Sequence, residues 1–163
     1  MQLSVIPPTW SAVPGDKGMS VSREGAILLE FASVSQGTGG QSGYGERAYN
    51  WDDKIVFALK GVEAANLLDQ KKINDPSAGI SLIHDPNINT AEKGQTTKTL
   101  GVKQNADGST WAFTISQTSG GAKSNVFVPV TAAEMIAIQN VVSYAIPRLL
   151  GIDVVLTQPI FLS

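Results

Sequence analysis

The sequence has no cysteine and a single histidine, His84. Without thiols the chain can form neither a disulfide nor a thiolate metal site, which suits a reducing compartment without requiring one. Charged residues make up only 16% of the 163 positions, and the net charge of -2 gives no global attraction for a polyanion. Any contact with nucleic acid must therefore come from local patches.

Long hydrophobic runs are also missing. The most apolar segment, residues 135–152, is interrupted by several polar residues, a proline and an arginine, which argues against a membrane span. Residues 1–8 have no basic flank and no long apolar stretch, so they match neither a secretory signal nor an Arg-rich transit peptide. We expect a chain that is cytosolic or already trimmed and that has no membrane partner.

Groups suited to catalysis are scarce. His84 precedes Asp85, which would orient it as a general base, but a strand end followed by a proline-fixed turn explains the same residues better. Asp52 and Asp53 point to opposite faces of a predicted strand and cannot chelate one metal ion. Residues 37–40 (GTGG) lack the ending of a phosphate-binding loop. We expect neither an enzyme nor a cofactor or metal site.

One pattern occurs twice: a strand that leads directly into a helix. Residues 56–63 (VFALKGVE) return as residues 126–134 (VFVPVTAAE), with a one-residue slip at the glutamate. Alternating runs separated by turn residues precede each copy. The pattern predicts an α+β fold made of two four-stranded antiparallel sheets, each followed by a helix.

The first half is predicted to contain short strands and one long one. The short strands are Leu3–Ile6, Trp10–Val13, Met19–Ser22 and Ile27–Val34. The long strand, Tyr49–Leu59, places Tyr49, Trp51, Asp53, Ile55 and Phe57 on one face. A Gly/Ser/Gln loop over residues 35–45 is too poor in apolar groups to pack, and residues 61–72 form a modest helix.

In the second half, Asp107–Gly108 marks a hairpin, and Thr131 with Glu134 forms a capping box that opens the longest helix. This helix is apolar nearly all round, so a chain of 17.2 kDa is too small to cover it. We therefore expect a homo-oligomer, a tetramer, whose interface residues are Ile138, Val142, Ile146 and Leu149.

Aromatic and cationic side chains on the strands suggest a surface where bases stack and phosphates meet positive charge. The candidate residues are Arg47, Tyr49, Trp51, Lys54, Lys98, Lys103, Trp111 and Phe113. The alternative is that the rings of Trp51, Phe57, Trp111 and Phe113 belong to the core.

Ordered motifs resemble those of the plant Whirly single-stranded DNA-binding proteins over roughly residues 3 to 153. They are residues 47–59 (RAYNWDDKIVFAL), His84–Pro86 (HDP), 106–109 (ADGS), 128–134 (VPVTAAE) and 147–152 (PRLLGI), and residues 22–32 are similar to an early strand of that family. The resemblance implies single-stranded DNA binding with little sequence preference, in a tetramer whose helices pack at the centre. It also implies a role in plastids or mitochondria, in genome maintenance, repair or transcription; otherwise the chain is cytoplasmic or nuclear. Residues 1–153 would form one domain, followed by a tail over 154–163.

The chain departs from the family pattern in four ways. A lysine-bearing first-strand motif is missing, the charge balance is acidic, the loop over 35–45 is an insertion, and Ile152 replaces a tryptophan. Two alternatives to DNA binding therefore stay open. One is an RNA-binding relative, and the other is a structural scaffold that has kept the assembly but lost DNA binding.

Overall fold

The computed structural model describes residues 1–15, 18–35 and 48–152, which form an α+β fold with antiparallel sheets and a C-terminal helix. The strands within these ranges are β1 (Gln2–Ile6), β2 (Thr9–Ala12), β3 (Met19–Arg23), β4 (Ala26–Val34), β5 (Tyr49–Leu59), β6 (Ile80–His84), β7 (Thr96–Gln104), β8 (Thr110–Ser119) and β9 (Ala122–Thr131). The helices are α1 (Gly61–Ala65), α2 (Gln70–Ile73) and α3 (Ala132–Leu149). The GTGG segment, Arg47 and nearly all of the predicted loop over 35–45 lie outside the described residues.

The first half differs from the expected four-stranded sheet. Strands β1, β4 and β5 form a three-stranded sheet, while β2 and β3 pair separately. The pairs β1–β4 and β2–β3 are successive parts of one long hairpin, which is interrupted at Pro7–Pro8 on one arm and at Glu24–Gly25 on the other. Proline has no N–H to donate to the ladder, so the pairing breaks where the two prolines lie.

The second half agrees with the prediction. Strands β6, β7, β8 and β9 form a four-stranded antiparallel sheet in sequence order, which we call the second sheet. The hairpin between β7 and β8 turns at Gly108, whose φ of 72° favours glycine. The Asn105 N–H donates to the Thr110 carbonyl oxygen at 2.9 Å and closes the turn.

The helix predicted over residues 61–72 is broken into α1, a 3₁₀ turn at Asn66–Leu68, and α2. The side-chain amide of Asn66 donates to the carbonyl oxygens of Val62 and Glu63. The Asp69 carboxylate then accepts from the N–H groups of Lys71 and Lys72 and caps α2. Short polar side chains compete for backbone groups in this way, so the apolar stripe alone did not predict the break.

The capping box of α3 is confirmed. The Glu134 carboxylate accepts from the Thr131 N–H at 2.8 Å, and the Glu134 N–H donates to the Thr131 hydroxyl at 3.4 Å. The Thr131 hydroxyl also donates to the Glu134 carboxylate at 2.8 Å. The hydrogen bonds that the carboxylate accepts, first from the Thr131 N–H and then from the Thr131 hydroxyl, hold the pKa of Glu134 below its ordinary value.

One hydrophobic core joins the inner faces of both sheets to one side of α3. The helix contributes a seam of buried side chains: Met135, Val142, Ala145 and Leu149. Ile138 and Ile146 are partly buried against the same core. The four residues expected at an oligomer interface therefore line or flank the seam that packs within the chain. The sequence did not predict this, because a helix that is apolar all round does not reveal which of its sides its own chain covers.

The C-terminal end of α3 is held by the long hairpin. Gly151 ends the helix with a φ of 73°, and a Cβ added there would lie 2.6 Å from the Trp10 ring and 2.9 Å from Val21. On the other arm, the Gly25 N–H donates to the Leu149 carbonyl oxygen at 2.9 Å. Glycine at 151 thus meets two requirements, a left-handed backbone and close packing.

Candidate nucleic-acid interface

The two strand–helix junctions have the same local geometry. In both, a glutamate three residues after the N-cap accepts from the N-cap N–H: Glu63 from Lys60 at 3.0 Å and Glu134 from Thr131 at 2.8 Å. Aligned on these caps, the two copies need no slip, and Phe57 corresponds to Val128. Phe127 is therefore not equivalent to the buried Phe57, and the residue is 59% exposed.

A bulge in β5 changes the direction of the aromatic side chains predicted on one face. Phe31 pairs with Ile55 but Ser33 pairs with Asn50, so β5 advances five residues while β4 advances two. The Asn50 amide donates to the Asp53 carboxylate at 2.7 Å within this bulge. Partners in antiparallel strands share a face, so the predicted single face from Tyr49 to Phe57 is wrong.

Beyond the bulge, Tyr49 pairs with Val34, and both side chains are exposed. The ring centroids of Tyr49 and Trp51 lie 6.4 Å apart, and the two residues are 44% and 40% exposed. This distance is within the range of paired aromatic rings. The end of β5 therefore presents two adjacent rings to solvent.

Tyr49 and Phe127 line one cleft of about 300 Å³ between the ends of β4 and β5 and the edge strand β9. Its other lining residues include Val34, Asn125 and Pro129. Sequence reasoning missed Phe127 as a site residue. The signal that could have found it is the inward alternation of Val126, Val128 and Val130, which turns Phe127 outward.

The outer face of the second sheet continues from Phe127. The strand register places these side chains on it: Ser81, Ile83, Thr97, Thr99, Lys103, Ala112, Thr114, Ser116, Thr118, Lys123, Asn125, Phe127 and Pro129. The strand positions of this face carry two lysines, many hydroxyl groups and no carboxylate. These positions are thus locally positive on a chain whose net charge is -2.

Gly101 keeps the centre of this face flat. The Thr114 hydroxyl donates to the Gly101 carbonyl oxygen at 3.3 Å, and a Cβ at Gly101 would lie 2.6 Å from that hydroxyl. A flat sheet face with hydroxyls and a border of exposed rings can hold an extended polymer, because side-chain hydroxyls donate to phosphates and rings stack on bases.

Of the predicted lysines, Lys54 and Lys98 already have partners. The Lys54 ammonium lies 2.8 Å from the Glu30 carboxylate, and the Lys98 ammonium donates to the Val56 carbonyl oxygen at 2.9 Å. Lys98 sits on the inner face and ties the second sheet to β5, whereas Lys103 lies on the outer face. Lys54 is half-exposed, so its pair can rearrange when a phosphate approaches.

Lys103 faces one nearby carboxylate. The pKa of Asp75 is lowered mainly by hydrogen bonds from the Ser77 hydroxyl and N–H, and the charge of Lys103 adds to this effect. The Asp75 charge therefore persists to low pH and offsets part of the attraction of Lys103 for a phosphate.

The rings of Trp111 and Phe113 lie on the inner face of the second sheet. Phe113 is fully buried in the core and leaves no ring face for a base. Trp111 is partly buried, and its indole N–H donates to the Ile73 carbonyl oxygen at 3.0 Å. The alternative that the ring belongs to the core is therefore correct for Phe113. Trp111 joins the second sheet to α2.

His84 belongs to a structural cluster. Its Nε2 lies 2.7 Å from the Glu63 carboxylate, and its ring stacks on Phe57 with centroids 4.1 Å apart. Asp85, which would orient a catalytic histidine, instead accepts from the N–H groups of Asn87 and Gly94. The cluster thus fixes the cap of α1 against the end of β6.

Among residues 1–15, 18–35 and 48–152, no group of three or more potential metal ligands occurs. None of the helices in the same part of the chain combines the length and apolar character needed to cross a bilayer.

Comparison with known proteins identifies the family. The family described as Whirly transcription factor matches residues 1–141, and the chain belongs to this family. It is similar to the single-stranded DNA-binding protein WHY2, mitochondrial, of Arabidopsis thaliana, with 32% identity over 91% of this chain and 58% of that protein. It is also similar to the single-stranded DNA-binding protein WHY1, chloroplastic, of Solanum tuberosum, with 30% identity over 91% of this chain and 51% of that protein. The chain thus spans about half the length of these relatives.

Solved structures agree with this assignment. The crystal structure of WHY3 from Arabidopsis thaliana superposes with a TM-score of 0.79 at 26% identity, covering 94% of this chain and 84% of that one. The plant transcriptional regulator PBF-2 superposes with a TM-score of 0.79 at 27% identity, covering 94% and 78%. The Whirly fold predicted from the ordered motifs is confirmed.

Proposed function

We propose that this protein binds single-stranded DNA with low sequence specificity and has no enzymatic activity. The observation that carries the proposal is the outer face of the second sheet, whose strand positions carry two lysines and no carboxylate, bordered by Phe127 and the cleft it shares with Tyr49. Family membership and the names of the similar proteins, which describe single-stranded DNA-binding proteins, support the same function.

In this proposal, bases stack on the exposed rings of Tyr49, Trp51 and Phe127, and the backbone runs across the outer face. Stacking accepts any base, because every base has a π-face, so the sequence preference is small. Lys103 and Lys123 meet phosphates directly, Lys54 does so by exchanging its partner, and the hydroxyls supply neutral hydrogen bonds. Lys98, Trp111 and Phe113 support the sheet from its inner face.

We further propose a homotetramer in which the outward face of α3 is covered by other copies. On that face Ile136, Val141 and Tyr144 are 60%, 42% and 66% exposed. Between Glu134 and Arg148 the helix has no charged residue. An apolar face of this kind is stabilised when copies of the chain bury it.

Ile136→Asp tests the assembly. A charge placed on the outward face should release monomers of about 17.2 kDa, measured by light scattering. Val142→Asp is the contrast, because Val142 is buried within its own chain and that variant should unfold. An Ile136→Asp variant that keeps the parent mass would contradict the assembly.

The cellular role is proposed at the level of the family. Residues 1–153 would act as one domain in genome maintenance, repair or transcription, with residues 154–163 as a tail. The similar proteins are described as mitochondrial or chloroplastic, which supports an organelle as the location.

The test of function is fluorescence anisotropy with labelled oligo-dT, a mixed-sequence strand, the matching duplex and the matching RNA. We expect micromolar or tighter binding to both single DNA strands and weaker binding to duplex. The salt slope should be shallow, roughly two log units of affinity per log unit of salt if three lysines each neutralise a phosphate. Equal or tighter binding to RNA would favour the RNA-binding alternative. No binding to oligo-dT at low salt would favour the scaffold.

A further inference from the structure

The outward face of α3 has a polar residue at its centre. The buried seam is Met135, Val142, Ala145 and Leu149, and at 3.6 residues per turn Asn140 lies on the opposite side of the helix. Ile136 and Tyr144, each four residues away, flank it along the axis and are largely exposed. Asn140 is thus the midpoint of a mostly apolar stripe.

The carboxamide of Asn140 makes no hydrogen bond within the described residues, and Asn140 is exposed. If the stripe were covered by an apolar surface, the amide would be buried without a partner, which is unfavourable. If identical copies of the chain cover the stripe, the amide does not have to stay without a hydrogen-bond partner. In a closed cyclic assembly each carboxamide can donate an N–H to the next copy and accept one from the copy before it.

The stripe also favours copies of the same chain over a charged partner. It has no charge of its own between Glu134 and Arg148, and the 18-residue helix gives it a length of about 27 Å at 1.5 Å per residue. Identical helices packed in parallel bring the same residues to the same level, so the amides meet one another and Ile136 meets Ile136. At the other end of the stripe the Arg148 guanidinium lies 3.6 Å from the centroid of the Tyr144 ring.

We propose that Asn140 carboxamides form a closed hydrogen-bonded ring at the centre of the assembly and thereby fix the number and register of its subunits. This inference rests on the proposed tetramer. A single buried asparagine in an apolar helix interface can select one oligomeric state at some cost in stability, because only the correct register satisfies every amide. Asn140 is a positioning residue and does not contact the proposed DNA site.

The test replaces Asn140 with leucine, which keeps the size and removes the polar group. We expect the parent to show one mass near four subunits in light scattering, and Asn140→Leu to associate still but to show at least two masses. The control is Asn89→Leu, at an exposed position in the turn between β6 and β7, which should keep the parent mass. A second measurement is hydrogen exchange of the Asn140 side-chain amide by NMR, which should be at least tenfold slower than for the Asn89 amide.

The outcomes separate the two proposals. A parent that remains monomeric overturns the tetramer and the ring with it. A tetrameric parent whose Asn140→Leu variant keeps a single tetramer mass, or whose Asn140 amide exchanges as fast as that of Asn89, overturns the ring alone.

Discussion

Phe127 gives the sharpest test of the proposed interface. Its ring is exposed on the cleft side of β9 and is preceded and followed by inward-facing valines. A ring that stacks on a base contributes about 1–3 kcal/mol to binding. Phe127→Ala should therefore weaken the affinity for oligo-dT by roughly 5- to 150-fold, measured by fluorescence anisotropy at fixed low salt.

The same substitution should leave the fold nearly unchanged, because substitutions at exposed positions usually change stability by about 0.5 kcal/mol or less. Phe113→Ala is the contrast: its ring is fully buried, and removing it should lower the free energy of unfolding in urea by about 3–5 kcal/mol. Phe127→Leu separates stacking from hydrophobic contact, since leucine keeps most of the apolar area but has no π-face. Loss of affinity in both variants at position 127 indicates stacking.

A Phe127→Ala variant that folds like the parent and binds oligo-dT equally well would contradict the role of this ring. In that case the cleft beside Tyr49 would not receive a base, and the DNA path would have to lie elsewhere on the sheet. A fall in affinity that accompanies a large fall in stability would also contradict the assignment, because it would show that the ring supports the fold.

Three other predictions follow from the geometry. Gly151→Ala should lower the free energy of unfolding by more than Gly121→Ala. Both positions have a left-handed backbone, which costs alanine about 1–2 kcal/mol, but only Gly151 is also crowded by Trp10. Equal losses in urea unfolding would show that the Trp10 contact is unimportant. Glu134→Gln should lower stability near pH 7, and the difference from the parent should shrink as the pH falls below 4.5. The sign follows from the pKa, which is lowered in the folded state, so the stabilising effect is complete above the ordinary value of 4.5 and is lost as the pH falls through the folded value. Glu92→Gln in an exposed turn is the control, and a pH-independent difference for Glu134→Gln would refute the cap. Finally, replacing residues 36–45 with a short turn should leave the melting temperature nearly unchanged, because their composition is poor in apolar groups and the Ser35 N–H already pairs with the Ala48 carbonyl oxygen at 2.8 Å; a large fall would show that the segment packs on the domain.

Local signals in the sequence predicted local structure well. The capping box at Thr131 and the hairpin at Gly108 each depend on residues within a few positions of one another, and both are present. The strands of the second sheet follow from their alternation in the same way. These features need no knowledge of what packs against them, so the sequence alone is sufficient.

Features that depend on tertiary partners were not predictable. The bulge in β5 has no sequence signature, because alternation continues through residues 49–59 while the pairing with β4 shifts. The role of Lys98 is another case, since its acceptor on Val56 lies 42 residues away in the chain. A lysine on a strand looks equally suited to a phosphate or a carbonyl oxygen until the fold places one of them within reach.

The internal repeat shows how letter matching can hide a site. Matching the Val-Phe pairs makes Phe57 and Phe127 equivalent, at the cost of a slip at the glutamate. Matching the caps removes the slip, because Glu63 and Glu134 each accept a hydrogen bond from the N-cap N–H of their helix. Phe57 then corresponds to Val128 and Phe127 to Val56, so the two phenylalanines face opposite sides of their sheets. The cap is the better reference, since its hydrogen bonds fix the chain in space, whereas the identity of a strand residue depends on what each face must contact. The exposed ring of Phe127 is thus a feature in which the second copy differs from the first, and it adds a ring of the second sheet to the proposed DNA site beside Tyr49 and Trp51 of β5.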